Sequence, residues 1–176
     1  GDAALVRIKG TKKSLALTTD GNARYCMLDA HTGGALAVAE AARNISCTGA
    51  TPLAMTNCLN FGNPENPAVM AQFSSAVEGM SEACRALGVP VVSGNVSFYN
   101  ETHGEDIYPT PIVGMVGLIE DSQKRATQGF VREGDVIALL HPAAELPLSK
   151  GGAHEYVWVL SGREGGAAPA ISLESE

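Results

Sequence analysis

Two short segments of the chain carry residue types that could contact a nucleotide, a metal ion or a small substrate. The first is residues 93–97, which read Ser-Gly-Asn-Val-Ser and follow a short apolar run. Gly94 would let a ligand approach the backbone closely or would adopt a positive φ. Asn95 offers a neutral oxygen suited to a hard cation such as Mg²⁺, and Ser97 offers a hydroxyl to a phosphate or a carbonyl. The same composition is also typical of a plain turn at the end of a strand.

The second segment, residues 57–64, reads Asn-Cys-Leu-Asn-Phe-Gly-Asn-Pro. Asn57 lies at the end of a predicted strand, where its amide could bind a base or a ribose. The competing interpretation is structural, because asparagines in such a loop often cap the helix that follows. The chain has no Gly-x-x-x-x-Gly-Lys-Ser/Thr motif, so a nucleotide would not be held by a P-loop.

Regular elements have to position these two segments. Apolar runs and period-two alternation predict strands at residues 5–8, 14–19, 52–59, 89–92 and 109–119. Apolar residues at intervals of three and four predict helices at residues 34–48 and 67–87. Residues 30–34, which include two glycines, are predicted to be flexible. The alternating order indicates an α/β or α+β fold.

The sequence pattern after residue 120 predicts a change of structural unit. Residues 121–133 are polar and are predicted to form a connector. Residues 134–140 are typical of the first strand of a new unit, and residues 153–160 of a short helix. A domain boundary is therefore expected within the connector.

Composition narrows the classes of function. The net charge is −7, which argues against nucleic acid as a partner because phosphate backbones are bound by clustered Lys and Arg. Hydrophobic residues make up 45% of the chain, yet no run of about 18 apolar residues suits a membrane span. The four cysteines lack zinc-site spacing and are predicted to be reduced. We expect a cytoplasmic protein that binds neither nucleic acid nor membrane.

Four sequence blocks together resemble a known family. They are GGALAVAEAARNISCTGATPLA, TNCLNFGNPENP, VPVVSGNVSFYNET and PTPIVGMVGLIED, in that order along the chain. They resemble the second half of the synthetase subunits, called PurL, of phosphoribosylformylglycinamidine synthases. The resemblance covers about residues 2–160, and its NFGNP and SGNVSFYNE blocks are highly specific.

The resemblance implies a PurM N-terminal-like domain, in which helices back a mixed sheet that pairs with a second copy to close a barrel. We expect this domain at residues 1–120, the connector at residues 121–133, and the start of a PurM C-terminal-like domain at residues 134–176. PurL proteins hold two such copies, so the chain is expected to be an excised piece of a longer enzyme that contains the second one.

The family converts formylglycinamide ribonucleotide, ATP and glutamine-derived ammonia into formylglycinamidine ribonucleotide. Carried over to this chain, the resemblance implies that Asn57 and Gly94 contact ATP, that Asn95 binds Mg²⁺ and that Ser97 contacts substrate. Asn57 departs from the pattern, because the family usually has Asp there. The family's catalytic histidine lies in its first half, so we assign no catalytic residue here.

The resemblance also implies an auxiliary nucleotide and Mg²⁺ site at Asp2, Glu40 and Asn44, for which exposed helix positions are the competing interpretation. Expected partners are the first half of the parent chain, the glutaminase PurQ and the small subunit PurS. Two alternatives stay open. The isolated piece would be an inert pairing module that self-associates through its sheet edge, or the chain would belong to a sister enzyme such as aminoimidazole ribonucleotide synthetase.

Overall fold

The computed structural model describes residues 1–139, 155–162 and 165–176. Its strands are β1 (Ala4–Arg7), β2 (Ser14–Asp20), β3 (Thr51–Asn60), β4 (Val91–Ser97), β5 (Glu101–Thr102), β6 (Glu105–Asp106) and β7 (Thr110–Ile119). Its α-helices are α1 (Ala23–Leu28), α2 (Ala30–Cys47), α3 (Pro67–Leu87) and α4 (Glu155–Ser161). A single 3₁₀ turn (Ser122–Lys124) lies in the predicted connector.

Five strands form one mixed sheet in the order β1-β2-β7-β3-β4. The pair β3–β4 is parallel, and the pairs β1–β2, β2–β7 and β3–β7 are antiparallel. The parallel pair is joined through α3, which supplies the crossover that parallel strands require. Strand β4 forms one edge of the sheet. The prediction of a mixed sheet backed by helices is confirmed.

One face of the sheet carries the helix layer, in which α2 packs against β2, β3 and β7 and α3 packs against α2; the other face is open, and β4 is exposed along nearly its whole length. In β7 every second residue from Pro111 to Ile119 is buried, as expected for a strand with one covered face. The core under the helices is built largely from alanine, valine and methionine, with Val38, Ile45, Met55, Val113 and Met115 among its least exposed members.

The two long helices cross at very short distance. A Cβ atom on Gly34 of α2 would collide with the backbone of Ala76 in α3, and one on Gly79 of α3 would collide with the backbone of His31 in α2. The prediction that residues 30–34 are flexible is therefore wrong. Asp29 caps α2 by accepting hydrogen bonds from the Thr32 amide (3.1 Å) and hydroxyl (2.7 Å), and the glycines serve close packing.

Two further expectations are corrected. Residues 93–97 form the last five residues of strand β4 instead of a turn, because their backbone pairs with β3. Residues 135–139 form no strand: Val136 and Leu139 are 93% and 87% exposed, and no strand in the described part of the chain pairs with them. The short helix predicted near residue 155 is confirmed by α4, whereas residues 140, 153 and 154 lie outside the described residues. No helix in the described ranges has the length and apolarity to cross a membrane.

Candidate functional site

The four predicted ligand contacts lie on the two parallel strands β3 and β4. In the register of this pair, Asn57 is opposite Gly94, Cys58 is opposite Asn95 and Asn60 is opposite Ser97. All of them fall at the middle of their strands or nearer the carboxyl end. Parallel strands bring their carboxyl ends to one edge, which is where open α/β sheets commonly bind ligands.

The register divides these residues between the two faces of the sheet. Asn57 pairs with Val113, a fully buried residue on the helix-covered face, so Asn57 and its partner Gly94 belong to that face. Side chains alternate along a strand, which places Asn95 and Ser97 on the open face. A ligand that contacts all four would have to reach around the edge strand β4. Sequence reasoning missed this division because it treated residues 93–97 as a single turn.

Gly94 is required by the side chain of Asn57. A Cβ atom at position 94 would collide with Asn57 Oδ1 and would lie 2.9 Å from the Asn57 carbonyl oxygen. The Asn57 amide therefore lies over the Gly94 backbone. This arrangement presents a hydrogen-bonding amide beside an exposed stretch of strand without a side chain, which suits close approach of a polar ligand.

Asn95 and Ser97 point to the same side and are two residues apart, about 7 Å along the strand. The Ser97 hydroxyl lies 3.2 Å from Asn100 Oδ1, to which it can donate, while its oxygen stays able to accept a hydrogen bond. Asn95 is exposed, and its amide has no hydrogen-bond partner among the described residues. Its oxygen is therefore available to an external ligand.

The strand ends that carry the site are fixed to α3 by three aromatic rings. Phe61 follows β3, Phe98 follows β4 and Phe73 lies on α3. Phe73 contacts Phe61 edge to face at 5.3 Å between ring centroids and Phe98 at 5.2 Å. Such pairs contribute about 0.5–1.5 kcal/mol each beyond the area they bury. The trio holds both strand ends in place with respect to the helix layer.

Asn100 ties the same ends together by hydrogen bonds. Its side-chain amide donates to the carbonyl oxygens of Phe61 (2.9 Å) and Ser97 (3.0 Å), and its backbone N–H also donates to Phe61 (3.2 Å). Sequence reasoning did not select Asn100. Its only sequence signal is an asparagine three residues after Ser97, a spacing that many turns share.

A Mg²⁺ site cannot be completed from the described residues alone. They contain no group of three His, Cys, Asp or Glu side chains placed to hold a metal. Asn95 supplies one neutral oxygen, which fits the way Mg²⁺ is usually bound, through few protein ligands together with phosphate oxygens and water. The buried cysteines are not activated nucleophiles, since burial raises the pKa of Cys26 to about 12 and also raises that of Cys84.

The predicted auxiliary set of Asp2, Glu40 and Asn44 is only partly brought together. The Asn44 amide donates to Asp20 Oδ1 (2.7 Å), and Asp2 instead accepts from Gln128 (3.0 Å). Asp20, whose other oxygen accepts from Thr18 (2.7 Å), was missed in the sequence. Its position at the end of β2 is the signal that could have identified it.

Glu40 faces the same group of polar side chains. Its pKa is raised, first by desolvation and then by the nearby carboxylate of Asp20, while Arg43 opposes the shift. The Arg43 guanidinium is itself held in a two-pronged ion pair with Glu176. The carboxylates of Glu40 and Asp20 therefore repel each other, and the charge of Arg43 offsets this only in part.

Comparison with known proteins identifies related sequences. Residues 1–119 match the family model described as AIR synthase related protein, N-terminal domain. The PurL subunit of phosphoribosylformylglycinamidine synthase from Moorella thermoacetica is 58% identical over the whole of this chain. The chain spans 24% of that relative's length.

Solved structures of Thermotoga maritima PurL have the same fold. The complex with ATP superposes with a TM-score of 0.65 at 40% identity, covering 70% of this chain and 21% of that one. The complex with FGAR gives 0.65 at 40% identity, covering 71% and 20%. The PurLQS structure gives 0.66 at 39% identity, covering 72% and 21%.

Proposed function

Because this chain belongs to the family of AIR synthase related proteins through their N-terminal domain, we propose that it is the nucleotide- and substrate-contacting part of an ATP-dependent ligase of purine biosynthesis. The observation that carries the proposal is the identity to a PurL subunit along the entire chain, at 58%. The register of β3 and β4 supports it, since it gathers Asn57, Gly94, Asn95 and Ser97 at one strand edge.

In the proposed reaction, the γ-phosphoryl group of ATP is transferred to the amide oxygen of formylglycinamide ribonucleotide. Glutamine-derived ammonia then adds to the amide carbon, and the bond from that carbon to the phosphorylated oxygen breaks. The products are formylglycinamidine ribonucleotide, ADP and phosphate. Positioning and charge neutralisation dominate catalysis of phosphoryl transfer, which suits a site made of amides and hydroxyls.

Each of the four residues has a separate role in this proposal. Asn57 and the bare backbone at Gly94 contact ATP on the helix-covered face. Asn95 gives an oxygen to Mg²⁺, whose charge would offset that of the phosphates. Ser97 contacts the substrate on the open face, where Asn100 fixes its hydroxyl. The family usually has Asp at position 57, so an amide there removes one negative charge near the nucleotide.

The rest of the site would come from elsewhere in the complete protein. The open face is polar near β4 and apolar toward β1 and β2, where Val6 and Leu17 are 53% and 37% exposed. An apolar sheet face of this kind favours pairing with the related domain in the first half of the parent chain. The PurLQS structure of the relative supports PurQ and PurS as further partners. The same exposed face would make the isolated chain self-associate, which sedimentation would detect.

Of the two alternatives, the inert pairing module is compatible with the proposed function, and the sister enzyme is less well supported. An isolated chain would be an inert pairing module, since the described residues lack a general base within the strand edge. A sister enzyme, aminoimidazole ribonucleotide synthetase, is not favoured, because the relative that is 58% identical along the whole chain is a PurL subunit. A cytoplasmic location stays a prediction.

The proposal is tested in the complete protein with Asn95→Ala. Ser93→Ala is the matched control, because Ser93 lies on the same face of β4, two residues earlier. We expect Asn95→Ala to raise the Mg²⁺ concentration needed for half-maximal amidine formation by about tenfold, the loss of one ligand worth roughly 1.4 kcal/mol. Ser93→Ala should change it little. An equal response of the two variants would remove Asn95 from the metal site.

A further inference from the structure

Tyr99, two residues after strand β4, has a backbone conformation that its side chain does not favour. Its φ is +58°, in the left-handed region. For residues other than glycine this region is uncommon, and asparagine and aspartate tolerate it better than a bulky aromatic residue. His103, at the tip of the β5–β6 hairpin, is the other such residue in the described part of the chain, with φ +56°.

The surrounding hydrogen bonds impose this conformation on Tyr99. Its N–H donates to the Gly62 carbonyl oxygen (2.9 Å), and the next residue, Asn100, bonds back to Phe61 and Ser97. Phe98, immediately before it, packs its ring on Phe73. The chain therefore turns sharply at position 99. The one bond among these that Tyr99 itself makes uses its backbone N–H, so glycine or asparagine at this position would satisfy it equally well.

The side chain of Tyr99 lies outside the hydrophobic core. Tyr99 is 61% exposed. Among the described residues its ring has no aromatic partner and its hydroxyl has no hydrogen bond. A strained, exposed aromatic residue beside a ligand site is the pattern expected when the side chain serves binding instead of folding.

We propose that Tyr99 is a substrate-contacting residue, whose ring forms a wall of the site next to Ser97. This inference rests on the proposed function. The substrate is preferred over the nucleotide because Tyr99 follows Ser97 closely, whereas Gly94 lies three residues further back, about 10 Å along β4. The ligand is a phosphoribosyl amide, and the flat apolar face of the ring packs against it and limits its contact with water.

The test uses the complete enzyme with Tyr99→Asn, and with His103→Asn as a matched control for relief of backbone strain. Both variants should keep or raise the apparent Tm, by about 2 °C. Tyr99→Asn should raise the KM for formylglycinamide ribonucleotide by about tenfold and leave the KM for ATP unchanged, whereas His103→Asn should change neither. Tyr99→Phe, which keeps the ring, should remain within about threefold of the unsubstituted enzyme.

Two results would overturn the inference. A lower Tm in Tyr99→Asn would show that the ring stabilises the fold, and an unchanged substrate KM would show that it does not contact substrate. Failure of the proposed function is distinguishable, because the unsubstituted complete enzyme would then form no amidine from formylglycinamide ribonucleotide, ATP and ammonia.

Discussion

Gly94→Ala tests both the packing of the strand edge and its proposed role in binding ATP. The added methyl group would collide with Asn57 Oδ1 and lie 2.9 Å from the Asn57 carbonyl oxygen. The Asn57 side chain can rotate away, but the backbone of β3 cannot do so without opening the parallel pair. Overpacking of this kind costs about 1–3 kcal/mol. We expect the lower half of that range because β4 is an exposed edge.

For a protein region of this size, about 1–2 kcal/mol corresponds to a fall in apparent Tm of roughly 2–8 °C. The displaced Asn57 amide should also raise the KM for ATP by about tenfold. Thermal unfolding and steady-state kinetics of the complete protein measure the two effects. Gly129→Ala is the control, because a Cβ atom there has no neighbour within 4 Å.

A double-mutant cycle isolates the contact itself. Asn57→Ala removes the atom that the new methyl group would meet, so it should restore part of the lost stability when combined with Gly94→Ala. It should not restore ATP affinity, since Asn57 is the proposed contact. Additive losses of stability in the double variant would refute the reasoning, because they would mean that the two positions do not touch.

Three further predictions concern neighbouring parts of the structure. Asn100→Ala removes side-chain hydrogen bonds to Phe61 and Ser97 and should destabilise the protein by about 2 kcal/mol in denaturant unfolding; an unchanged unfolding midpoint would show that these hydrogen bonds do not stabilise the strand ends. Gly79→Ala should separate α2 from α3 and lower Tm by more than Gly94→Ala does, since the obstruction is backbone; equal shifts would count against it. Glu40→Gln should stabilise the protein at neutral pH by less than about 1 kcal/mol, because the site is partly solvent-screened. The raised pKa of Glu40 means that its charged form is penalised in the folded state. The gain should therefore shrink as pH falls through the raised pKa and disappear below 4.5, the ordinary glutamate value, whereas a gain independent of pH would contradict this cause.

The regular elements could be predicted because their sequence patterns are strong and local. The stripe of apolar residues at intervals of three and four in α3, with Asn66 as cap before it and Gly88 after it, fixes both ends of that helix. The side chains of strand β7 alternate between the covered and open faces, so this strand was equally easy to predict. The sequence did not predict which side chains of β4 lie on the covered face and which on the open face, because the composition of this segment is that of a turn.

What the sequence could not supply depends on contacts between distant segments. Residues 93–97 are extended only because β3 lies beside them, so tertiary pairing overrides their turn-forming composition. The Asp20–Asn44 hydrogen bond joins the end of β2 to α2 and has no local pattern. The start of α2 was misjudged because its glycines, which usually indicate flexibility, are there to let α3 approach.

The division of the site between two faces has a consequence for how ligands bind. ATP would meet the chain at Asn57 and Gly94 on the helix-covered side, and the substrate at Ser97 on the open side. In the proposed reaction the phosphoryl group would pass from one to the other, and Asn95, which lies between Gly94 and Ser97 on β4, would hold the metal. A partner domain that closes against the open face would complete the substrate side of such a site.

The most direct test is a structure of the complete protein with a non-hydrolysable ATP analogue and Mg²⁺. We predict Asn95 Oδ1 about 2.1 Å from a magnesium ion that also contacts phosphate oxygens, with the nucleotide against the Gly94 backbone. The prediction would be contradicted by a structure in which nucleotide and metal are bound at the usual catalytic stoichiometry but Asn95 and Gly94 face only solvent.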